Sequence, residues 1–252
     1  ILLNLSDFEA ISVTQTPFST PAPQTEEFEY QEISAVSAPV QTSAAGYGLP
    51  DFENMTDGVD YASGEILVTH QGRVEKEQGG KGIRDWLKRE IPAFTRDEAP
   101  QFGRVAAIGC GFGGPMDSKT GRVMRSIQIG GWQDFPIRVW FEETFALPAT
   151  VDNDSNAAAW GEYKRGFGRG SQHFFYTNIG SGVGGGFVFN GELFDGQGYG
   201  AGEMGHTYVA DWTSQTPGAV EKVENLCSGW AIEGRLRTPG YIPAESSLYH
   251  KF

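Results

Sequence analysis

Asn153 and Asp154 stand side by side in the run VDNDSNAAAWGEYKR, ahead of a glycine-rich stretch at 180–186 and a Gly-Glu-Met-Gly-His turn at 202–206. Each piece suits one part of a phosphoryl transfer to an alcohol. A carboxylate such as Asp154 can take the proton of an attacking hydroxyl. Glycines allow backbone N–H groups to approach phosphate oxygens closely. Glu203 and His206 can hydrogen-bond a polyol. Residues 150 to 209 contain all three pieces, in that order.

Taken singly, each has a plainer role. Asn and Asp are favoured helix caps, so Asp154 alone would read as the N-cap of a helix over 155–165. Glycines between the strand-like runs HFFYTNI and FVFNGEL would read as a hairpin that needs positive φ. An isolated histidine is more often a surface residue than a ligand. The succession of the three is what turns the reading toward a site.

The surrounding elements must bring these residues to one place. GEILVTHQGRV reads as a strand with a turn at Gln71-Gly72, and GIRDWLKREIPAF sets Ile83, Trp86, Leu87 and Ile91 at helical spacing before Pro92. RVAAIGCGFGGPMD follows as a short apolar strand ending in a glycine-rich turn. IRVWFEETFALPATVDND then predicts a helix and a strand that delivers Asn153 and Asp154 at its end. Alternating strands and helices imply an α/β sheet, where ligands collect at strand ends.

Composition narrows the function. With 252 residues, 39% of them hydrophobic, the chain can bury a sizeable core in one large or two modest domains. A net charge of -13 argues against a nucleic-acid surface, which needs clustered Lys and Arg. Two cysteines, Cys110 and Cys227, are too few for a disulfide scaffold and lack metal-site spacing, so a reduced compartment, the cytoplasm by default, is expected. No apolar run approaches the ~20 residues of a membrane-spanning helix, and no membrane insertion is expected. The start at Ile1 rather than Met points to processing, trimming or a partial chain. Residues 1–57 differ from the rest: positions 14–50 are rich in Thr, Ser, Pro, Gln and Glu and contain no Lys or Arg. A disordered or extended acidic arm is expected there, with Phe18, Phe28, Tyr30 and Tyr47 as anchors should it wrap a partner.

Several motifs between about 58 and 238 resemble the ROK family of repressors, open reading frames and kinases. DNDSNAAAWGE is similar to that family's END-x-N-AAA-x-GE stretch, with Asp152 in place of the first glutamate. The resemblance implies that Asp154 is the general base and that Asn153 orients a sugar. NIGSGVGGGFVFNGEL resembles the second phosphate loop, which implies a nucleotide contact at Gly180, Ser181, Gly182, Gly184 and Gly185. Gly114, Pro115, Asp117, Gly131 and Trp132 match a segment that closes over the sugar. Gly113 stands there for a usual proline, and Gln128 for a sugar-contacting asparagine. Glu203, His206 and Glu224 match further sugar contacts, Glu224 together with Ser228-Gly229.

Two departures modify what the family implies. The cysteine cluster that joins the histidine in a structural zinc site is missing after His206, so no zinc is expected. The Asp-x-Gly-Gly-Thr hairpin that holds ATP phosphates and Mg²⁺ is missing as well, and 58–67 resembles its region with the hairpin deleted. The expected fold is therefore a two-lobed RNase H-like or actin-like ATPase fold, with a small lobe at 58–147, a larger lobe at 148–252 and the family's C-terminal part missing. The implied function is glucokinase-like, ATP-dependent phosphorylation of a hexose with Mg²⁺. The alternative is a non-catalytic sugar-binding or structural subunit whose arm docks on a partner protein or a second copy. A repressor is disfavoured, because residues 1–57 contain nothing like a winged helix.

Overall fold

The computed structural model describes residues 2–5, 52–60, 66–74, 76–126, 129–196 and 202–246. The first sheet starts from β1 (Leu2–Leu5), β2 (Phe52–Val59) and β3 (Ile66–Val74). After the helix α1 (Gly79–Asp97) come β4 (Ile108–Phe112), a two-stranded ribbon of β5 (Met116–Asp117) and β6 (Arg122–Val123), the helix α2 (Ile137–Phe145) and β7 (Ala149–Asn153). Five of these strands pair in the order β3-β2-β1-β4-β7. The pairs β1·β4 and β4·β7 are parallel, and β1·β2 and β2·β3 antiparallel. Parallel neighbours need a crossover, which α2 supplies between β4 and β7.

Three expectations can be set beside this topology. The two ends of the expected arm are strands: Leu2–Leu5 pairs in register with Gly109 to Phe112, and Phe52 to Asp57 belong to β2. Positions 6–51, which hold the rest of that arm, lie outside the described residues. The sheet also runs on through β7 to Asn153, past the lobe boundary expected at 147/148. Finally, β3 does not turn at Gln71-Gly72, since both residues stay in register with β2, opposite Met55 and Asn54. The glycine at 72 serves close approach, because a Cβ there would lie inside the Trp86 ring. At their adjoining ends β2 and β3 set Val59 opposite Ile66, with a register shift at Gly58/Val59.

The first sheet and α1 share one core. Ile83, Trp86, Leu87 and Ile91 form the buried stripe of α1, as their spacing predicts, but the helix runs through Pro92 and buries Phe94 as well. They pack with Ile108, Cys110 and Phe112 of β4, Ile137 and Phe141 of α2, and Val151 of β7. Trp132 stands at the junction, 1% exposed and edge-on to both Phe112 and Phe135. Gly80 passes directly beneath its indole, where a Cβ would lie 2.7 Å from Nε1.

The second half is built on α3 (Asp154–Arg165) and the hairpin of β8 (His173–Ile179) and β9 (Val183–Phe189), extended by β10 (Glu192–Leu193). Asn190 and Gly191, with φ of 53° and 83°, make the tight β9–β10 turn that two left-handed residues favour. The helix packs on one face of this sheet. Phe175, Phe187 and Phe189 stack along the other with successive centroids 4.7 and 5.9 Å apart, and Phe194 meets Phe189 edge-on at 5.4 Å. The described chain ends with a small ribbon, β11 (Tyr208–Ala210) with β12 (Val220–Lys222), then the helices α4 (Val223–Cys227) and α5 (Gly229–Leu236). No helix among the described residues is long and apolar enough to cross a membrane.

Candidate active site

Asn153 ends β7 and Asp154 begins α3, so the pair occupies a strand end that is also a helix start. The cap of this helix is Asn153. Its side-chain oxygen accepts from Ser155 N at 3.0 Å and from Asn156 N at 3.2 Å. Relieved of that task, Asp154 sits one position into the helix, where its Oδ1 accepts from Ser155 N at 2.8 Å. The amide of Asn153 donates toward Gly114 O at 3.4 Å. Asn153 is thus spent mainly on the helix, a heavier structural duty than sugar orientation alone would require.

Glycines set the distance between this helix start and its neighbours. At Gly111 of β4, an added Cβ would meet Asp154 Cα at 3.2 Å. At Gly184 of β9 it would collide with Ser155 Oγ, and at Gly186 it would lie 2.5 Å from Ala159 Cβ. None of Gly180, Gly182, Gly184, Gly185 and Gly186 has a positive φ, and at Gly184, Gly185 and Gly186 the missing side chain serves close packing. The hairpin is therefore pressed against the first turn of α3. Ser155 Oγ completes the junction by donating to Asn178 Oδ1 at 3.1 Å.

The turn at 202–206 lies on the same hairpin. Gly202 has φ 77° and abuts the carbonyl of Gly185, while a Cβ at Gly205 would lie 2.5 Å from Val183 O. Between and beyond these anchors, Glu203 and His206 face the opening. His206 Nε2 stands 3.1 Å from Glu224 Oε1, Glu224 being in the first turn of α4. Ser228 caps α5 by accepting from Ala231 N at 3.1 Å, and Gly229 N donates to Gly180 O at 2.7 Å. That bond fastens the start of α5 to the hairpin tip.

Together these parts enclose a cavity of about 680 Å³. One side is Gly113, Gly114, Pro115 and Arg125, from the segment after β4. The base is Asn153, Asp154 and Ser155. The hairpin contributes Ser181 to Gly185, and the far side holds Gly202, Glu203, His206, Glu224, Asn225, Ser228, Trp230 and Ala231. Of the residues expected from the sequence, Gly114, Asn153, Asp154, Ser181, Gly182, Gly184, Gly185, Glu203, His206 and Glu224 all line it. Gly180 does not: its N–H donates to Gly182 O and its carbonyl accepts from Gly229, so it shapes the tip without facing the opening. Gln128 lies outside the described residues. Trp132 is core, and Asp117 closes a local turn by accepting from Lys119 N and Thr120 N.

Arg125, Ser155, Asn225 and Trp230 also line the cavity, although motif reasoning singled out none of them. The cap sequence Ser228-Gly229 was the available signal for the start of α5; Arg125 has no periodic or motif signal at all. Electrostatics separate the neighbouring groups. Burial pushes the Asp152 carboxyl above its ordinary range, against hydrogen bonds from Asn156 and the Asn153 backbone, with Asp195 adding to the rise. Burial likewise raises the Tyr176 phenol, helped by the charges of Glu162 and Asp154.

For a nucleotide, the hairpin tip fits. The N–H groups of Ser181 and Gly182 donate to no protein acceptor among the described residues, and a Cβ at Gly182 would meet only Glu224 Oε2, at 3.4 Å. Two unspent backbone donors on an open glycine turn suit phosphate oxygens. For a structural metal, no group of three or more His, Cys, Asp or Glu side chains is placed to hold one among the described residues.

A sheet continued by α3 and its hairpin, with a ligand cavity between them, is the arrangement of the actin-like ATPase fold. The chain belongs to the ROK family, whose family model matches residues 58–250. Among its relatives is the glucokinase of Halalkalibacterium halodurans, 36% identical over 151 residues, which are 58% of this chain and 44% of that protein. A β-glucoside kinase of Listeria monocytogenes is 31% identical over 162 residues, 64% of this chain and 50% of that one. The solved structure of a ROK glucokinase from Streptomyces griseus, in complex with glucose and AMPPNP, aligns with TM-score 0.58 and 31% identity over 73% of this chain and 56% of that one. The chain spans about half the length of the relatives it matches.

Proposed function

We propose that this site transfers the γ-phosphoryl group of ATP to a hydroxyl of a hexose. The observation that carries the reading is the convergence on one cavity of Asp154, the donor-bearing tip at Ser181-Gly182, and the Glu203, His206 and Glu224 cluster. The similarity to kinases named for glucose and β-glucosides supports the same substrate class.

In this reading Asp154 accepts the proton of the attacking hydroxyl as the hydroxyl oxygen bonds to the γ-phosphorus and the bond from that phosphorus to the bridging oxygen breaks, ADP leaving with the electron pair. Glu203, and Glu224 with its partner His206, receive the remaining hydroxyls. The 3.1 Å contact between Glu224 and His206 orders both side chains before a sugar arrives, which lowers the ordering cost of binding. Asn153 holds the first turn of α3 in place. The N–H groups of Ser181 and Gly182 would hold phosphate oxygens, stabilising charge at fixed positions. When bound, Mg²⁺·ATP supplies the phosphoryl group and the metal neutralises its charge.

Asp154→Asn tests the assignment in the protein that carries this chain. Removing a general base costs roughly 10²- to 10⁴-fold in kcat. Ground-state contacts survive, so hexose affinity by calorimetry should stay within about threefold. Turnover near the wild-type rate in this variant would show that Asp154 is not the base.

A further inference from the structure

Among the described residues that line the cavity, Arg125 is the one lysine or arginine. The side chain is exposed, and among the described residues no carboxylate stands within ion-pairing distance of it. Its guanidinium donates no hydrogen bond to a described residue either, unlike those of Arg84, Arg89, Arg96, Arg122 and Arg138; Arg104, Arg169 and Arg235 share this state, but none of them lines the cavity. In a chain with 32 acidic and 19 basic residues, a cation left unpaired at a ligand cavity needs a reason.

The backbone gives Arg125 a defined place. Met124 N donates to Pro115 O at 3.0 Å, and the Arg125 carbonyl would lie 3.1 Å from a Cβ at Gly114. Gly114 in turn receives the Asn153 amide. Arg125 therefore belongs to the side of the cavity that adjoins the start of α3. The carboxylates of Glu203 and Glu224 come from other elements, the turn at 202–206 and α4. The described lining thus holds three carboxylates, those of Asp154, Glu203 and Glu224, and one planar cationic fork, that of Arg125. Guanidinium matches carboxylate and phosphate with two parallel hydrogen bonds.

We infer that Arg125 reads an oxyanion on the sugar, so that the preferred ligand of this cavity is a hexose derivative with a carboxylate or phosphate substituent. The inference rests on the sugar-binding reading of the site and refines its substrate class. Glu203, Glu224 and His206 would engage the hydroxyls of such a ligand while Arg125 pairs with its charge.

Calorimetric titration of the chain with glucose, glucuronate and glucose 1-phosphate, repeated for Arg125→Ala and Arg125→Lys, tests this. Charge-assisted bonds to a guanidinium should make at least one anionic sugar bind on the order of tenfold or more tighter than glucose. In Arg125→Ala that ratio should fall to about one, with Arg125→Lys intermediate, because the charge remains while the fork is lost. Glucuronate and glucose 1-phosphate tell carboxylate from phosphate. Glucose binding as tightly as both anionic sugars, or a preference that survives Arg125→Ala, would overturn the inference and leave the hexose site standing. Failure of all three to bind a chain that unfolds cooperatively would overturn the sugar reading itself, and this inference with it.

Discussion

Asp152, Asn153 and Asp154 are three adjacent polar residues with three different environments. Asn153 is consumed by the helix cap, Asp154 projects into the cavity, and Asp152 turns back to accept from Asn153 N at 2.7 Å and Asn156 Nδ2 at 3.2 Å. Burial leaves Asp152 with a raised pKa, so the folded state holds its proton more tightly than the unfolded chain does. The sign follows directly. Where the native state binds more protons, stability falls as pH rises, here from the unfolded carboxyl value of about 3.9 up through the raised folded value. Asp152→Asn removes the ionisation and keeps an acceptor oxygen. The variant should be as stable as wild type or more so at neutral pH, with the difference shrinking as pH approaches about 4. Urea unfolding at the two pH values checks this, and a clear loss of stability at neutral pH would contradict it.

At the scale of elements, the site depends on how closely α3 meets the β8–β9 hairpin. Gly184 and Gly186 face the helix, while Gly182 at the tip faces the cavity. Identical substitutions should therefore have different consequences. Gly184→Ala forces its methyl into Ser155 and should cost roughly 1–3 kcal/mol, the usual range for overpacking. Gly182→Ala meets an ordinary contact at 3.4 Å, so its stability should change by no more than about 0.5 kcal/mol. Its methyl would stand where phosphate oxygens are proposed to approach, so nucleotide affinity should fall instead. Thermal unfolding paired with nucleotide titration separates the two; equal destabilisation by both would show that the hairpin does not pack as described. Asn153→Ala belongs to the same scale. Loss of the cap should cost about 0.5–2 kcal/mol.

For the molecule as a whole, charge and metal content are the properties most directly measured. His206, the expected family zinc ligand, is engaged by Glu224 at 3.1 Å, and no cysteine lies between them in sequence. Of the two thiols present, Cys110 is buried in β4 with its pKa pushed up by desolvation, and Cys227 ends α4. The chain should carry no stoichiometric zinc, and chelators should leave its Tm unchanged, since a structural zinc would be part of the folding free energy. One zinc per chain by elemental analysis would refute this.

What was legible in the sequence was local. The strand HFFYTNI is β8 from His173 to Ile179, the alanine-rich helix ends at Arg165 as expected, and the order Asn-Asp, glycine hairpin, Glu-Met-Gly-His predicted a cavity that encloses nearly all the residues named from it. Hydrophobic period and motif order act over a few neighbouring residues, so one chain suffices to read them. Tertiary structure decided the rest. Which member of Asn153-Asp154 caps α3 depends on backbone angles at the strand–helix junction; Asn153 has φ -59° and ψ 144°, the extended geometry of a cap. Whether Gly72, Gly184 and Gly186 turn the chain or admit a neighbour depends on Trp86, Ser155 and Ala159, which no local pattern connects to them. The pairing of Leu2–Leu5 with β4 joins segments about a hundred residues apart, and Arg125 reaches the cavity because the segment after β6 passes beside Gly114. Contacts of that range are set by how elements cross in space, and composition and spacing along the chain carry no record of them.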